Sequence, residues 1–236
     1  MNNKNARATS NLAMLEIVAR KLGKLNDKVV YLGGCATALL INDPLSLDIR
    51  ATRDVDCIID IISLGDYYKF EKELRGIGFT EDNKDNIICR WLYDEIILDI
   101  MPTDEKILGF GNPWYKEALE YAVPHQISNN LIIKSITAPY FIATKIEAFR
   151  TRGNNDILGS YDFEDIITIV AGRLDIGNEI ASASNKLKLF LKQFFEELLK
   201  NPKFEPNLSG HLNDGPASVT MQRVRKVMSL IKKIAG

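Results

Sequence analysis

Three aspartates in this 236-residue chain have the type and spacing that metal chemistry requires. Asp54 and Asp56 lie two positions apart, where a run of β-branched residues over 55–62 predicts a strand. Alternate residues of a strand point to the same face, so we expect these two carboxylates side by side. Carboxylates that close repel each other unless a cation lies between them. The pair therefore indicates a cation site.

Asp99 is the third aspartate, and it interrupts a run of apolar residues over 96–101 that otherwise predicts a buried strand. An unpaired buried carboxylate is costly in free energy, so Asp99 needs a partner. The partner is either an arginine such as Arg90 or a divalent cation shared with Asp54 and Asp56. Mg²⁺ prefers oxygen ligands and often keeps substrate phosphates in its coordination shell. Two such ions held by three carboxylates suit in-line phosphoryl or nucleotidyl transfer.

Gly33 and Gly34 lie between a predicted strand over 29–32 and a predicted helix of small residues over 35–41. Without a Cβ atom, this junction lets backbone N–H groups approach phosphate oxygens at a helix N-terminus. Each feature alone has a simpler interpretation, since Gly-Gly is commonly a turn and Asp-x-Asp is commonly a solvated surface pair. The combination of the glycines and the three aspartates, in this order, is more specific than its parts.

The elements that must position these residues form a mixed α/β pattern over the first 137 residues. Apolar residues at helical spacing predict a helix over 10–24, with Ser10 as its N-cap. Two β-rich runs joined at Asp94 predict a hairpin. The further predicted elements are helices over 66–75 and 113–121, the hairpin strands over 87–93 and 95–101, and two short strands around Asn129-Asn130 within 125–136.

The pattern changes to helical from residue 138 onward. Residues 201–216, rich in Pro, Asn and Gly, are predicted to form a linker or surface loop. Helices are predicted over 139–152, 163–172, 176–200 and 218–235. We therefore predict an α+β protein, in which an N-terminal α/β domain with a mixed sheet (residues 1–137) is followed by a C-terminal helical domain (residues 138–236).

Composition excludes several classes of protein. The chain is 46% hydrophobic and 26% charged with a net charge of −1, which argues against wholesale disorder and against a histone-like basic protein. No apolar run reaches the roughly 18 residues of a membrane span, and the three cysteines lie in apolar runs, as reduced core thiols do. We therefore expect a cytoplasmic protein with no membrane partner.

The charge is uneven along the chain. Residues 176–236 contain 10 basic and 5 acidic residues, whereas residues 1–175 contain 20 basic and 26 acidic residues. A basic tail on an acidic body fits an enzyme that holds cations and binds a polyanion such as RNA. Ordinary solvated helix faces explain the same distribution equally well.

The motifs resemble a known superfamily. Leu32-Gly33-Gly34, the run Arg50-x-Thr52-x-Asp54-x-Asp56 and a third aspartate on a later strand are similar to the nucleotidyltransferase superfamily related to DNA polymerase β. The Arg-x-Thr-x-Asp-x-Asp run resembles, more narrowly, the AbiEii/AbiGii-type nucleotidyltransferases of prokaryotes, which include toxins of toxin–antitoxin and phage-abortive systems. The resemblance covers roughly residues 29–172 and implies a nucleotidyltransferase fold for the N-terminal domain.

The helical half carries two further motifs of that family. Lys145 and Arg150 fit its Lys-x4-Arg helix motif. Asp162 and Asp165 fit its Arg-Asp-x-x-Asp-Leu/Ile motif, although Tyr161 stands where the family usually has arginine. The stretch between the two glycines and the Asp-x-Asp run is also longer than is usual in the family, as an acceptor-binding insert would be.

The resemblance implies transfer of a nucleoside monophosphate from a nucleoside triphosphate (NTP) to an acceptor hydroxyl, with two Mg²⁺ ions held by the three aspartates. It also implies that Lys145 contacts the triphosphate, and that Asp162 and Asp165 hold the base or orient Lys145. Capping of a helix by Asp162 is the alternative. The implied catalytic residues are Asp54, Asp56, Asp99, Lys145 and Asp162. The implied nucleotide-binding residues are Gly33, Gly34, Thr52, Arg53, Lys145, Arg150 and Asp165.

Three functions remain open at this point. The first is transfer to RNA, above all to a transfer RNA 3′ end, or to a protein, by a toxin with an antitoxin partner. The second is transfer to a small cationic molecule, as in aminoglycoside-modifying relatives of the superfamily. The third is a non-catalytic nucleotide-binding protein that retains the fold, against which the intact Asp54, Asp56 and Asp99 argue.

Overall fold

The computed structural model describes residues 3–43, 49–82, 87–213 and 215–236. It confirms the predicted α+β class, with a seven-stranded mixed sheet and ten α-helices in these ranges. The chain divides into two compact units, of which the first comprises Met1–Leu39 and Arg50–Thr137 and the second comprises Leu40–Ile49 and Ala138–Gly236. None of the helices in the described ranges is long and apolar enough to cross a membrane.

The sheet lies in the first unit, and its strand order is β3-β4-β5-β2-β1-β7-β6. The neighbours β2/β5 and β1/β7 are parallel, and all other neighbouring strands are antiparallel. The predicted hairpin is confirmed as β4–β5 with Asp94 at its tip, and the two short strands predicted around Asn129-Asn130 are β6 and β7. The strands are β1 (Val29–Leu32), β2 (Asp54–Ile59), β3 (Thr80–Glu81), β4 (Arg90–Tyr93), β5 (Ile96–Pro102), β6 (Val123–Ser128) and β7 (Leu131–Ser135).

The helices of the first unit include α1, which begins earlier than its sequence pattern predicts. Ser10 lies inside α1, so its assignment as the N-cap is wrong. The physical reason is that the preceding residues include Ala6 and Ala8, a residue type that favours the helix strongly. The helices here are α1 (Asn3–Leu22), α2 (Gly33–Leu40), α3 (Leu64–Gly76) and α4 (Tyr115–Glu120), with a 3₁₀ helix at Gly23–Lys28.

One face of the central strands forms the core of this unit. Val55 and Cys57 of β2 and Leu98 and Ile100 of β5 are fully buried, together with apolar residues of α1 and α3. Because side chains alternate along a strand, the residues between them point to the other face. The packing of the core therefore fixes the direction of Asp54, Asp56 and Asp99.

The second unit is helical, and two predictions fail in it. Residues 176–200 form two helices, because Ser184 caps the second of them by accepting a hydrogen bond from the backbone N–H of Leu187 at 3.2 Å. The predicted loop over 201–216 contains α9, because Phe204 and Leu208 lie four residues apart and are both buried. The helices are α5 (Ala138–Arg150), α6 (Tyr161–Gly172), α7 (Ile176–Ala181), α8 (Asn185–Lys200), α9 (Phe204–His211) and α10 (Ala217–Ala235).

Residues 40–43 and residue 49 belong to this helical unit. The backbone N–H groups of Asn42 and Asp43 donate to the carbonyl oxygen of Gly172 at 3.1 and 3.0 Å. Arg173 donates from Nη1 to the carbonyl oxygen of Leu40 at 2.6 Å. Residues 44–48, part of the stretch interpreted above as an acceptor-binding insert, lie outside the described residues.

The break between α7 and α8 can be tested by removing the cap. Ser184→Ala deletes the hydroxyl that accepts from Leu187, and we expect it to lower the free energy of unfolding by about 1 kcal/mol. Ser182→Ala is the matched control, because Ser182 is exposed in the same connection, and a change of at most about 0.5 kcal/mol is expected there. Urea unfolding followed by circular dichroism measures both. Equal effects of the two substitutions would contradict the assignment of Ser184 as the cap.

Candidate functional site

The three aspartates converge at the pairing of β2 with β5. In the parallel register, Asp56 lies opposite Asp99, and Asp54 lies opposite Ile97. One carboxylate oxygen from each aspartate lies within 4.8 Å of the others. Asp99 is 8% exposed, and the other two are half-buried. The fold therefore brings residues that are far apart in the sequence to a single point.

Gly33 lies against this acidic group, at the junction of β1 and α2. The last residue of β1, Leu32, is paired with Asp56, so the chain leaves the sheet beside that carboxylate. Gly33 has φ +71°, and a Cβ atom built on it would overlap Oδ2 of Asp56. Any residue with a side chain would collide with Asp56 at this position. The glycine is therefore required by the site itself as well as by the turn.

Arg90 of β4 holds the third aspartate. The antiparallel register places Arg90 opposite Asp99, and its Nε and Nη2 atoms donate to Oδ1 and Oδ2 of Asp99, both at 2.9 Å. This is the arginine that sequence analysis offered as the alternative to a metal. Asp99 can pair with Arg90 and also bind a cation, because each carboxylate oxygen has two acceptor positions and Arg90 occupies one on each. The fork of two bonds fixes the orientation of Asp99.

Asn11 positions the segment that leads into β2. This α1 residue is fully buried, and its Nδ2 donates to the carbonyl oxygen of Arg50 at 3.2 Å, while its Oδ1 accepts from the backbone N–H of Thr52 at 3.4 Å. The hydroxyl of Thr52 in turn donates to Asp54. Asn11 belongs to none of the motifs identified in the sequence. The available signal was its place four residues before the buried Leu15, on the apolar stripe of α1.

Two buried thiols lie near the acidic group and stay protonated. Burial raises the pKa of Cys35 well above its usual range, and the carboxylate of Asp56 raises it further. Burial and the Asp56 carboxylate also raise the pKa of Cys57. Neutral thiols are poor metal ligands and poor nucleophiles. The donors available to a cation here are therefore carboxylate oxygens, the ligands that hard divalent cations prefer.

A second charged cluster lies in the helical unit. Nζ of Lys145 on α5 lies 3.0 Å from Oδ1 of Asp162 and 2.6 Å from Oδ2 of Asp165, one turn apart on α6. Arg152 adds two hydrogen bonds of 2.8 Å to Asp162. Helix α6 is capped by Ser160, which accepts from the backbone of the third residue of the helix, so capping by Asp162 is wrong.

This cluster controls the ionisation of its central carboxyl. Burial raises the pKa of Asp162, but the hydrogen bonds from Arg152 and the charge of Lys145 outweigh it, and the pKa lies below its usual value. Lys145, Asp162 and Asp165 are all buried. Arg152 was not predicted, and no motif in the sequence marks it.

Of two further predicted phosphate contacts, Arg150 already has other partners, whereas Arg53 is exposed. Arg150 donates to Glu197 at 2.8 Å, and its guanidinium lies 5.4 and 5.7 Å from the ring centroids of Phe190 and Phe194. Arg53 precedes β2 and has an exposed side chain.

The structure therefore groups the predicted residues in two sets. Asp54, Asp56 and Asp99 lie together in the first unit with Gly33, Gly34 and Thr52. Lys145, Asp162 and Asp165 form a cluster of their own in the second unit. No family model matches this chain, and no curated protein is significantly similar to it. The geometry of the side chains is thus the basis on which the chemistry is inferred.

Because Gly33 lies close to Asp56, we expect alanine substitutions of Gly33 and Gly34 to affect metal binding differently. Gly33→Ala places a methyl group where the carboxylate lies and adds about 1–2 kcal/mol of backbone strain at positive φ. We expect it to weaken Mn²⁺ binding by at least about tenfold, because a site ligand moves. In Gly34→Ala the new Cβ meets the flexible end of Arg50 at 3.2 Å and lies at ordinary contact distances of 3.7 and 3.8 Å from Thr52, so binding is expected to change little.

Calorimetric titration with Mn²⁺ and thermal unfolding of both variants provide the measurement. Equal metal affinities in Gly33→Ala and Gly34→Ala would contradict the assignment.

The cluster around Asp162 predicts a pH dependence of stability. A carboxyl whose pKa is lowered by folding stabilises the protein above its unfolded pKa of about 3.9, and this contribution is lost as the pH falls through the folded value. Asp162→Asn should therefore lower the free energy of unfolding by about 2–3 kcal/mol at pH 7 and by much less at pH 3.

Urea unfolding at the two pH values measures this difference, with Glu164→Gln on the same helix as the control. If Asp162→Asn lowers the free energy of unfolding by the same amount at pH 7 and pH 3, the stabilising role of the Asp162 carboxylate is contradicted.

Proposed function

We propose that this chain is a Mg²⁺-dependent nucleotidyltransferase that moves a nucleoside monophosphate from an NTP to an acceptor hydroxyl. The observation that carries the proposal is the convergence of Asp54, Asp56 and Asp99, whose oxygens lie within 4.8 Å of one another beside the start of α2. In-line nucleotidyl transfer needs divalent cations that bind phosphate oxygens, and carboxylates in this arrangement are suited to hold them.

The donor set fits Mg²⁺. It consists of carboxylate oxygens, with neighbouring thiols that remain protonated and two hydrogen bonds that orient Asp99. Because Gly33 has no Cβ atom, the Asp56 carboxylate can occupy the space beside it. Bound Mg²⁺ would supply charge neutralisation on the phosphates and would make the acceptor hydroxyl easier to deprotonate.

The protein's own groups bind and orient the triphosphate. Gly33 and Gly34 start the eight-residue helix α2, whose first N–H groups lack an acceptor within the helix and carry partial positive charge. Gly34 offers no Cβ to obstruct the approach of a phosphate. The exposed Arg53, one residue before Asp54, can add a guanidinium to the phosphates. The bond from Thr52 holds the Asp54 carboxylate in one orientation.

Lys145 and Arg150 are also proposed as phosphate contacts, although both already form ion pairs. Each already has a carboxylate partner, Asp162 and Asp165 for Lys145 and Glu197 for Arg150. A phosphate that binds either cation has to replace or share such a partner. Asp162 and Asp165 are therefore proposed as positioning residues that hold the Lys145 ammonium.

RNA is the proposed acceptor. Support comes from residues 176–236, with 10 basic and 5 acidic residues, and from exposed cations on α8 and α10 such as Lys186, Arg225 and Lys232. Cations that neutralise RNA phosphates release bound counterions, so binding should weaken steeply as salt rises. Transfer to a protein or to a small molecule remains as a defined outcome of the experiment below.

The transfer reaction can be tested with two aspartates of the same strand region. Purified protein is incubated with Mg²⁺, total cellular RNA and each of the four α-³²P-labelled NTPs in turn. Asp56→Asn should reduce label transfer by at least about a hundredfold, since it removes charge from the cation site. Asp60→Asn is the matched control, because Asp60 is exposed just beyond β2, accepts a bond from Thr103 at 3.1 Å and should be dispensable.

The position of the label distinguishes the acceptors. Label in an RNA band supports the proposal, and label in the protein band indicates protein modification instead. Binding of Mg-NTP without transfer indicates either a small-molecule acceptor or the non-catalytic nucleotide-binding protein considered above. Absence of both transfer and Mg-NTP binding would overturn the nucleotidyltransferase proposal.

A further inference from the structure

The helical unit contains a cavity of about 440 Å³ between α7, α8 and α10. Its apolar lining includes Ile180 and Ala181 of α7, Leu189 of α8 and Ile234 of α10. The volume lies within the range of roughly 300–1,000 Å³ that is typical of small-molecule sites. Leu189 is 56% exposed, so a large aliphatic side chain of the cavity wall is left open to solvent. An apolar ligand would gain free energy by covering it.

The same cavity is lined by three lysines, by no Asp or Glu side chain, and by Gly236, whose carboxylate in the 236-residue chain offsets one of the three positive charges. Lys192 donates to the main-chain oxygen of Gly236 at 3.0 Å and lies 3.8 Å from Glu196. Lys188 and Lys233 have no ion-pair partner among the described residues. Lysine side chains place apolar stems along a cavity wall and keep the ammonium at its edge. The cavity therefore combines an aliphatic interior with a positive rim.

We infer that this cavity binds a small anion with an aliphatic body, such as a medium-chain carboxylate. The aliphatic lining matches the body, and the lysines match a compact anionic head group. A nucleobase is a poorer fit, because bases stack on aromatic rings or arginine planes and the cavity lining contains neither. The inference goes beyond nucleotidyl transfer, since none of the residues assigned to the cation site, to the triphosphate or to the cluster around Lys145 lines the cavity.

The test uses octanoate and the full chain in isothermal titration calorimetry. Octanoate should bind saturably with one site per chain. 1-Octanol, with the same aliphatic body and no charge, should bind at least about tenfold more weakly, and inorganic phosphate, with charge and no body, should give no saturable heat. AMP serves as the nucleotide probe and should not compete with octanoate. No metal or NTP is needed, so failure here is separate from failure of nucleotidyl transfer.

Three variants locate the binding site. Ala181→Trp fills the cavity from an exposed position on α7 and should abolish octanoate binding. The double variant Lys188→Gln/Lys233→Gln keeps the shape, removes two charges and should weaken binding by at least about fivefold. Lys200→Gln lies on α8 outside the cavity lining and should leave the affinity unchanged. Thermal unfolding checks that each variant is folded.

Several results would overturn the inference. These are the absence of saturable octanoate binding, an unchanged affinity in both the folded Ala181→Trp variant and the lysine double variant, and equal affinities for octanoate and 1-octanol. If AMP binds the cavity more tightly than octanoate does and displaces it, the cavity is a nucleotide site instead.

Discussion

The mutual repulsion of three carboxylates held at one point is the constraint on which the rest of this site depends. The parallel register of β2 and β5 places Asp56 beside Asp99, and the core packing beneath prevents the strands from turning these side chains away. The neighbouring groups follow from that arrangement. Gly33 gives space to Asp56, Arg90 fixes Asp99, and the buried Asn11 holds the segment that carries Thr52.

The two charged clusters of the chain differ in how their charges are arranged. In the helical unit, Asp162 and Asp165 lie within ion-pair distance of Lys145, and Arg152 also contacts Asp162. Such a cluster satisfies its own buried charges and is suited to hold two helices together. At the β2–β5 pair, the oxygens of three acids lie within 4.8 Å of one another, and Arg90 forms an ion pair with Asp99. That convergence is the feature that favours a cation.

Much of this arrangement could be predicted from the sequence, because it depends on local periodicity. The spacing of Asp54 and Asp56 fixes their common face, and the polar Asp99 stands out in an apolar strand. What could not be predicted depends on contacts between distant residues. The collision of a Gly33 Cβ with Asp56 and the bonds from Asn11 to residues 50 and 52 require the folded register. The failures over 176–200 and 201–216 have local causes in a serine cap and in two buried apolar residues.

The central claim is that the three aspartates bind a divalent cation together with an NTP, and electron paramagnetic resonance of Mn²⁺ tests it most directly. Free Mn²⁺ is titrated into the wild-type chain, with and without a non-hydrolysable NTP analogue, and into Asp56→Asn. The account predicts that the wild type binds Mn²⁺, that the analogue strengthens this binding, and that Asp56→Asn loses both effects. Equal Mn²⁺ binding in wild type and Asp56→Asn, unaffected by the analogue, would contradict it.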